Sequence, residues 1–324
     1  MLKIILIAVI LMAGAFYIKH KACGYAMQRK NKMDMIKILT AHCAELTMNI
    51  GERSVAFPDN QERAAAYIES VYAKAGIKTW REPYDYRGRT VDNIVAQVTG
   101  GSPGKAYLLG AHYDSVAGTV GADDNASAVA VQLMTAVLLA EEVREKNLDV
   151  SVRFVSFALE EPPAYSSKHM GSRVYVKKAK ASGERIDGMI CLEMVGYTCK
   201  EKGCQDYPLP LKVMDYPKTG DFIAVVGDND SKDFTLSVYN AFRMNRGLPV
   251  IKLNVPLKGK LLPQIRLSDH ASFWDAGYSA VMITDTAFYR NPHYHQSTDT
   301  MDTLDFSFMS EVAESLLLFF RNAR

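Results

Sequence analysis

The sequence predicts an α/β fold, a three-layer αβα sandwich around a largely parallel central sheet. Three observations lead there. Short β-like runs alternate with helix-periodic runs, the order that winds a parallel sheet with helices on both faces. Acids and a histidine stand at the ends of several β-like runs, where such sheets bind ligands. The composition, 48% hydrophobic and 23% charged over 324 residues, suits a globular body with a sizeable core.

The elements follow in chain order. A helix is expected at 63–75, with apolar Ala64, Ala65, Ile68, Val71 and Tyr72 on one face and Gly76 as its stop. Runs at 93–98 and 106–109 read as strands, the second leading straight into Ala111-His112-Tyr113-Asp114. Residues 126–145 form an apolar helix that turns charged at its end, and 150–157 a strand that ends at Glu160-Glu161. A helix at 171–181, an extended run at 189–194 and a buried strand at 222–226 come next. A helix at 235–246, a strand at 280–283 and a terminal helix at 306–320 complete the series. Between them, 198–220 is rich in Pro, Tyr and Lys without a period. It reads as a surface loop bordering the crevice.

The net charge of +2 offers nothing to a nucleic acid, and no repeat or block of like charge interrupts the chain. The first residues are different. Ile4 to Met12 is an unbroken apolar run after Lys3, followed by Ala13-Gly14-Ala15, so cleavage of a signal peptide before Phe16 is one expectation. An uncleaved anchor over 4–18 is the other, with possible membrane association, although that run falls short of the ~20 residues that span a bilayer comfortably. Either way the expected organisation is 1–30 as leader or anchor with a short linker and 31–324 as one domain, exported to a periplasmic or extracellular setting. Of the five cysteines, Cys199 and Cys204 are close enough to close a small loop or to stay apart, and Cys191 sits in an apolar run as a small core residue.

Five segments carry candidate chemistry. Metal sites that catalyse hydrolysis take imidazole and carboxylate ligands and keep a position open for water. A pair of metals also needs a carboxylate that touches both. His112-Tyr113-Asp114 offers a ring and an acid placed to orient it. Asp123-Asp124-Asn125 opens an apolar helix, where the bland reading is N-terminal capping. Glu160-Glu161 follows a strand and would otherwise be a solvated pair. Glu193 lies within an apolar run, where an unpaired acid is costly. His293 and His295 close the series before Asp299-Thr300.

Taken together, and in order from Asn93 to Asp305, these segments resemble the co-catalytic zinc aminopeptidases, a group with bacterial leucyl aminopeptidase, aminopeptidases S and Y, and glutamate carboxypeptidase. The matching pieces are Gly110 to Ser115, Gly121 to Ser127, Glu160-Glu161 with Met170-Gly171-Ser172, and Leu192-Glu193-Met194. Ser268-Asp269-His270-Ala271-Ser272-Phe273, Ala276-Gly277-Tyr278, His295 and Asp299-Thr300 complete the set. The resemblance implies a mixed, largely parallel sheet of the zinc-exopeptidase type and two Zn2+ ions. His112, Asp124 and Glu161 fall to one edge of the cluster, Glu193 and His295 to the other, and Asp124 bridges. It implies Glu160 as general base, Asp114 as the partner of His112, and a cis peptide bond at Asp124-Asn125. Peptides would be the substrates, shortened from the N-terminus. Asp269, His270 and Arg266 are candidate substrate contacts.

The departures are few. Glu193 stands where many relatives have Asp, Ala128 where Gly is common, and Pro162 to His169 lengthens the link to Met170, so the preferred first residue does not carry over. A related carboxypeptidase, a glutaminyl-cyclase-like one-zinc enzyme and a non-catalytic binding domain are the alternatives. The presence of both Asp123 and Asp124 favours hydrolysis over cyclisation, and the retention of every ligand favours catalysis.

Overall fold

The computed structural model describes residues 32–322 apart from residue 210, so the apolar run at 4–18 and the boundary at 30/31 lie outside the described residues. Helix α1 (32–44) continues through a wider turn, Glu45–Ile50, and is followed by α2 (Pro58–Lys74). Strands β1 (Lys78–Tyr86), β2 (Arg89–Gly100) and β3 (Tyr107–His112) precede α3 (Ala128–Lys146) and β4 (Val150–Phe157). Then come α4 (Gly171–Ser182), β5 (Gly188–Glu193), β6 (Ile223–Asp228), α5 (Lys232–Phe242) and β7 (Val250–Val255). The chain closes with α6 (His270–Ala276), β8 (Ala280–Thr284) and α7 (Phe306–Asn322).

The eight strands form one sheet in the order β1-β2-β4-β3-β5-β8-β6-β7. The centre is parallel: β3 pairs with β4 and β5, and β5 with β8. Strand β2 is antiparallel to β1 and β4, and β6 is antiparallel to β8, so the sheet is mixed as expected. Alternation along the buried strands builds two cores. Leu109, Ile190, Leu192, Val281 and Ile283 meet the helices α1, α2, α3, α5 and α7 on one face. Leu108, Met189, Cys191 and Met282 point to the other, where they pack with Tyr175 and Val176 of α4 and Phe273 and Trp274 of α6. Period-two strands buried on both faces must be apolar at every position, which is why these runs are legible in sequence.

Strands β1 and β7 were not evident from the sequence. Both are sheet edges. Strand β1 carries Arg81, Glu82 and Asp85 and includes Pro83, all compatible with an edge and none with a central strand. It is held by the Arg87-Gly88 hairpin, both residues at positive φ, the backbone that a two-residue turn of matching twist requires. The expected strand at 106–109 runs on to His112, and the expected helix at 235–246 lies earlier, at Lys232–Phe242. Ser231 begins that helix early, because Asp228 Oδ1 accepts its N–H and its own carbonyl accepts the Thr235 hydroxyl. The 198–220 segment is closed by a Cys199–Cys204 disulfide and an isolated bridge from Cys199 to Gly220.

Candidate metal centre

The sheet order puts the carboxyl ends of β4, β3, β5 and β8 side by side, and the polar segments emerge there. His112 is the last residue of β3 and Glu193 the last of β5, its parallel neighbour. His112 is also level with Phe157, the last residue of β4, and Leu159 at φ 58° then turns the chain so that Glu160 and Glu161 face the same crevice.

Asp124 lies between two histidines. Its Oδ1 is 3.3 Å from His112 Nε2 and its Oδ2 is 3.2 Å from His295 Nε2. Glu193 Oε2 is 3.5 Å from His112 Nε2, and Glu161 Oε2 is 3.3 Å from His295 Nε2. The five side chains therefore make two triads that share Asp124: His112, Asp124 and Glu193, and Asp124, Glu161 and His295. This division differs from the expected one, which set Glu161 with His112 and Glu193 with His295. Adjacent parallel strands bring the terminal side chains of β3 and β5 together, whereas Glu161, beyond the turn at Leu159, is carried across to His295.

The donor set fits zinc. Ligand atoms at the usual ~2.0–2.1 Å from a tetrahedral zinc lie about 3.3 Å from one another, and the spacings above match that edge. His112 Nε2, Asp124 Oδ1 and Glu161 Oε1 are buried without a hydrogen-bond partner, a cost that a cation removes. The electrostatics agree. Burial resists a charge on His295, yet bonding to Asp124 and Glu161 pulls its imidazole up to about 10. Burial also resists a charge on Asp124, but the two histidines hold its carboxyl below the ordinary range. Burial, with Asp124 adding, pushes Glu161 up to about 8.

Neighbours fix these groups in place. Asp114 Oδ1 is 3.4 Å from His112 Nδ1, and the same carboxylate accepts the N–H groups of Glu160 (3.0 Å) and Glu161 (3.1 Å). Asp114 thus orients the ring and sets the turn that divides the two glutamates. Asp299 accepts the N–H groups of Asp123 (2.8 Å) and Asp124 (3.1 Å). The Asp124-Asn125 peptide is cis, and the Asn125 amide pairs with Leu192 O and Met194 N–H at the end of β5. Asp123 belongs to neither triad. It accepts from Gly196 N–H and Asn291 Nδ2 and tacks the turn to two other loops. His293 is likewise separate, bonded to the Thr298 hydroxyl.

Glu160 is buried beside both triads and in neither of them. Burial, then Glu161, Glu193 and Asp269, drive its carboxyl well above the usual range against the pull of His112. Asp269 is fully buried with both oxygens unpartnered, and burial raises it to about 7, with Glu193 and Asp114 adding to the shift. His270 spends Nε2 on Ile265 O at 2.7 Å and packs edge-on against Trp274. The Arg266 fork is taken up by Asp275, at 2.8 and 2.9 Å, and by Lys258 O.

Two groups escaped the sequence reading. Tyr294 stacks on His295 with ring centroids 3.8 Å apart, and the fields of Asp124, Glu161, Glu193 and Glu160 add to burial in keeping its hydroxyl protonated. Ser268 donates to Glu193 Oε2 at 2.5 Å. Ser268 opens a segment that matches the family and Tyr294 precedes His295, but neither pattern states a role; each acquires it from what folds against it. Beside Glu193 and Tyr294 opens an apolar cavity walled by Tyr207, Leu211, Val226, Leu253, Met282 and Phe288. The 198–220 segment supplies part of that wall.

Comparison with known proteins agrees with this geometry. The model of peptidase family M28 matches residues 93–320. The chain is 38% identical over 288 residues to the uncharacterized protein YfbL of Escherichia coli (strain K12), covering 86% of this chain and 85% of that one. It is 25% identical to the probable leucine aminopeptidase 1 of Trichophyton verrucosum, over 88% of this chain and 71% of the relative. It is 24% identical to a probable zinc metalloprotease of Pyrenophora teres f. teres, over 69% of this chain and 50% of the relative. Among solved structures, the Legionella pneumophila LapA aminopeptidase superposes with a TM-score of 0.65 at 18% identity, covering 90% of this chain and 74% of that chain. The Tannerella forsythia glutaminyl cyclase superposes with a TM-score of 0.64 at 18% identity, covering 89% and 99%. These two likenesses establish a shared fold.

Proposed function

This chain belongs to peptidase family M28, and from that premise we propose that it is a two-zinc aminopeptidase that removes the first residue of peptides. One observation carries the reading: Asp124 turns one oxygen to each of two histidines, and each histidine has its own glutamate. His112, Asp124 and Glu193 would hold one ion, and Asp124, Glu161 and His295 the other. When bound, the ions supply Lewis-acid activation of water and of the scissile carbonyl.

The remaining steps belong to the protein. Glu160, with a carboxyl raised by burial and by neighbouring acids, takes the proton of the attacking water and returns it to the leaving amine. Asp114 holds Glu160 through its backbone N–H and keeps the His112 ring in one orientation. The Tyr294 hydroxyl, kept protonated by its surroundings beside His295, would donate to the oxyanion that develops at the carbonyl. The apolar cavity beside Glu193 accepts the first side chain and excludes water from it, which favours leucine, methionine or phenylalanine there. Export is supported by the Cys199–Cys204 pairing, which suits an oxidising compartment.

The test counts metal per chain and assays aminoacyl amides, N-acetylated peptides and glutaminyl peptides. Two zinc ions per chain and cleavage of leucyl and phenylalanyl amides, with N-acetylated peptides left intact, is the expected result. One zinc per chain with ammonia released from glutaminyl peptides would assign the chain to cyclisation instead.

A further inference from the structure

The buried cation of the centre is supplied by Arg53, 40 residues ahead of the segment that matches the family model. Its relative exposure is 0%, and among the described residues its guanidinium touches no carboxylate. All its bonds go to backbone carbonyls. Nε donates to Tyr113 O at 2.7 Å, Nη1 to Val120 O at 2.7 Å and Nη2 to Gly121 O at 3.1 Å. Nη1 also reaches Leu46 O and Gly51 O, both at 3.0 Å. All three nitrogens of the planar fork are thereby engaged, a geometry that an ammonium cannot reproduce.

The carbonyls it selects are informative. Tyr113 follows His112 directly, and Gly121 stands three residues before Asp124. The two ends of the loop between these two side chains are gripped by one rigid group. The Arg53 N–H donates to Ser115 Oγ in the middle of the same loop, and that hydroxyl donates to Thr119 O. Gly121 sits at φ 55°, and a Cβ there would fall 2.1 Å from Asp124 O, so the turn is packed directly against the residue it presents. The Arg53 carbonyl accepts from Gln61 Nε2, which ties the arginine to α2. Burying a guanidinium without an ion pair is costly. Asp114, Asp299 and Asp124 offset that cost from close by, and burial still lowers Arg53 only to about 10, so the group is charged at neutral pH.

We propose that Arg53 is a positioning residue for the metal centre, clamping both ends of the 113–121 loop so that His112 and Asp124 are set at ligand spacing in the free protein. The inference rests on the two-zinc reading. It gives the N-terminal helices a share in the site, although they contribute no ligand.

The test compares wild type with Arg53→Lys, which keeps the charge and loses the fork, and with the milder Ser115→Ala. Zinc affinity is measured by chelator competition, amide exchange across 113–124 in zinc-free protein, and kcat and KM on leucyl amide. Arg53→Lys should weaken zinc about 10- to 100-fold and speed exchange of the loop amides in the zinc-free state. It should lower kcat about tenfold or more while KM stays within about threefold. Ser115→Ala should move the same three readouts in the same direction by less, and it keeps the proposal testable should Arg53→Lys not fold. Wild-type zinc affinity and loop exchange in either folded variant would overturn the proposal while leaving the two-zinc reading intact. A wild-type chain that binds no zinc would overturn both.

Discussion

At the scale of single residues, the centre is a lesson in how neighbours divide tasks. Asp123 and Asp124 are adjacent acids of the same type, yet one faces two histidines and the other fastens loops through Gly196 and Asn291. Glu160 and Glu161 split in the same way, because Asp114 accepts both of their N–H groups and fixes the turn. That split predicts the behaviour of Glu160→Gln. The amide keeps the shape, and no triad includes the residue, so zinc content should equal that of wild type. The base is lost, and kcat should fall about 10²- to 10⁴-fold. Metal analysis beside steady-state kinetics checks both halves, and unchanged kcat would remove Glu160 from its role.

At the scale of elements, the strands that carry the site are braced by a polar residue inside the core. Gln132 of α3 is fully buried, donates to Leu109 O and Val155 O, and accepts the Ser156 hydroxyl. It stitches β3 to β4 a few residues before His112 and Glu160. Replacement by leucine leaves the Ser156 hydroxyl buried without its acceptor, so Gln132→Leu should destabilise the fold by about 1–3 kcal/mol. Urea unfolding with an unchanged slope would measure it; a loss below a few tenths of that size would mean that water or a rotamer change replaces the bond. The same element shows why α3 was readable and β1 was not. A helix buried over its first three turns is apolar except where a polar side chain finds a buried partner, as Gln132 and Thr135 do, whereas an edge strand is free to carry Arg81, Glu82 and Pro83.

At the scale of the whole molecule, two histidines outside both triads couple stability to pH. Burial lowers His42, bonded to the Tyr67 hydroxyl, to about 4 and His270 to about 3, both below the ordinary 6.5. The unfolded chain binds these protons below pH 6.5 and the folded chain does not, so their contribution to stability is full above 6.5. It falls as the pH drops toward the folded values, by a few kcal/mol in all. The raised carboxyls of Asp269 and Glu161 act in the opposite sense, so the histidine contribution is read as the difference in urea midpoint between wild type and a histidine variant from pH 7 to 4.5. His42→Gln should remove close to one proton from that dependence, and an identical slope in the variant would show that His42 does not contribute.

The sequence alone determined the class of the protein and the members of its centre. Apolar runs of period two and 3.6 state which segments are buried, and acids or histidines that interrupt such runs stand out because burying them is costly. Family resemblance then selected Asp124 over Asp123 and His295 over His293, a choice that spacing cannot make between near neighbours of equal chemistry. The tertiary structure alone decided how the five side chains divide. Glu193 joins His112 because β5 lies beside β3, and Glu161 joins His295 because the turn at Leu159 carries it across. It also decided what surrounds them: Tyr294 on His295, Ser268 on Glu193, and Arg53 beneath the loop. These are contacts between segments distant in the chain, and a local pattern holds no record of which carbonyl or carboxylate the fold will bring within 3 Å.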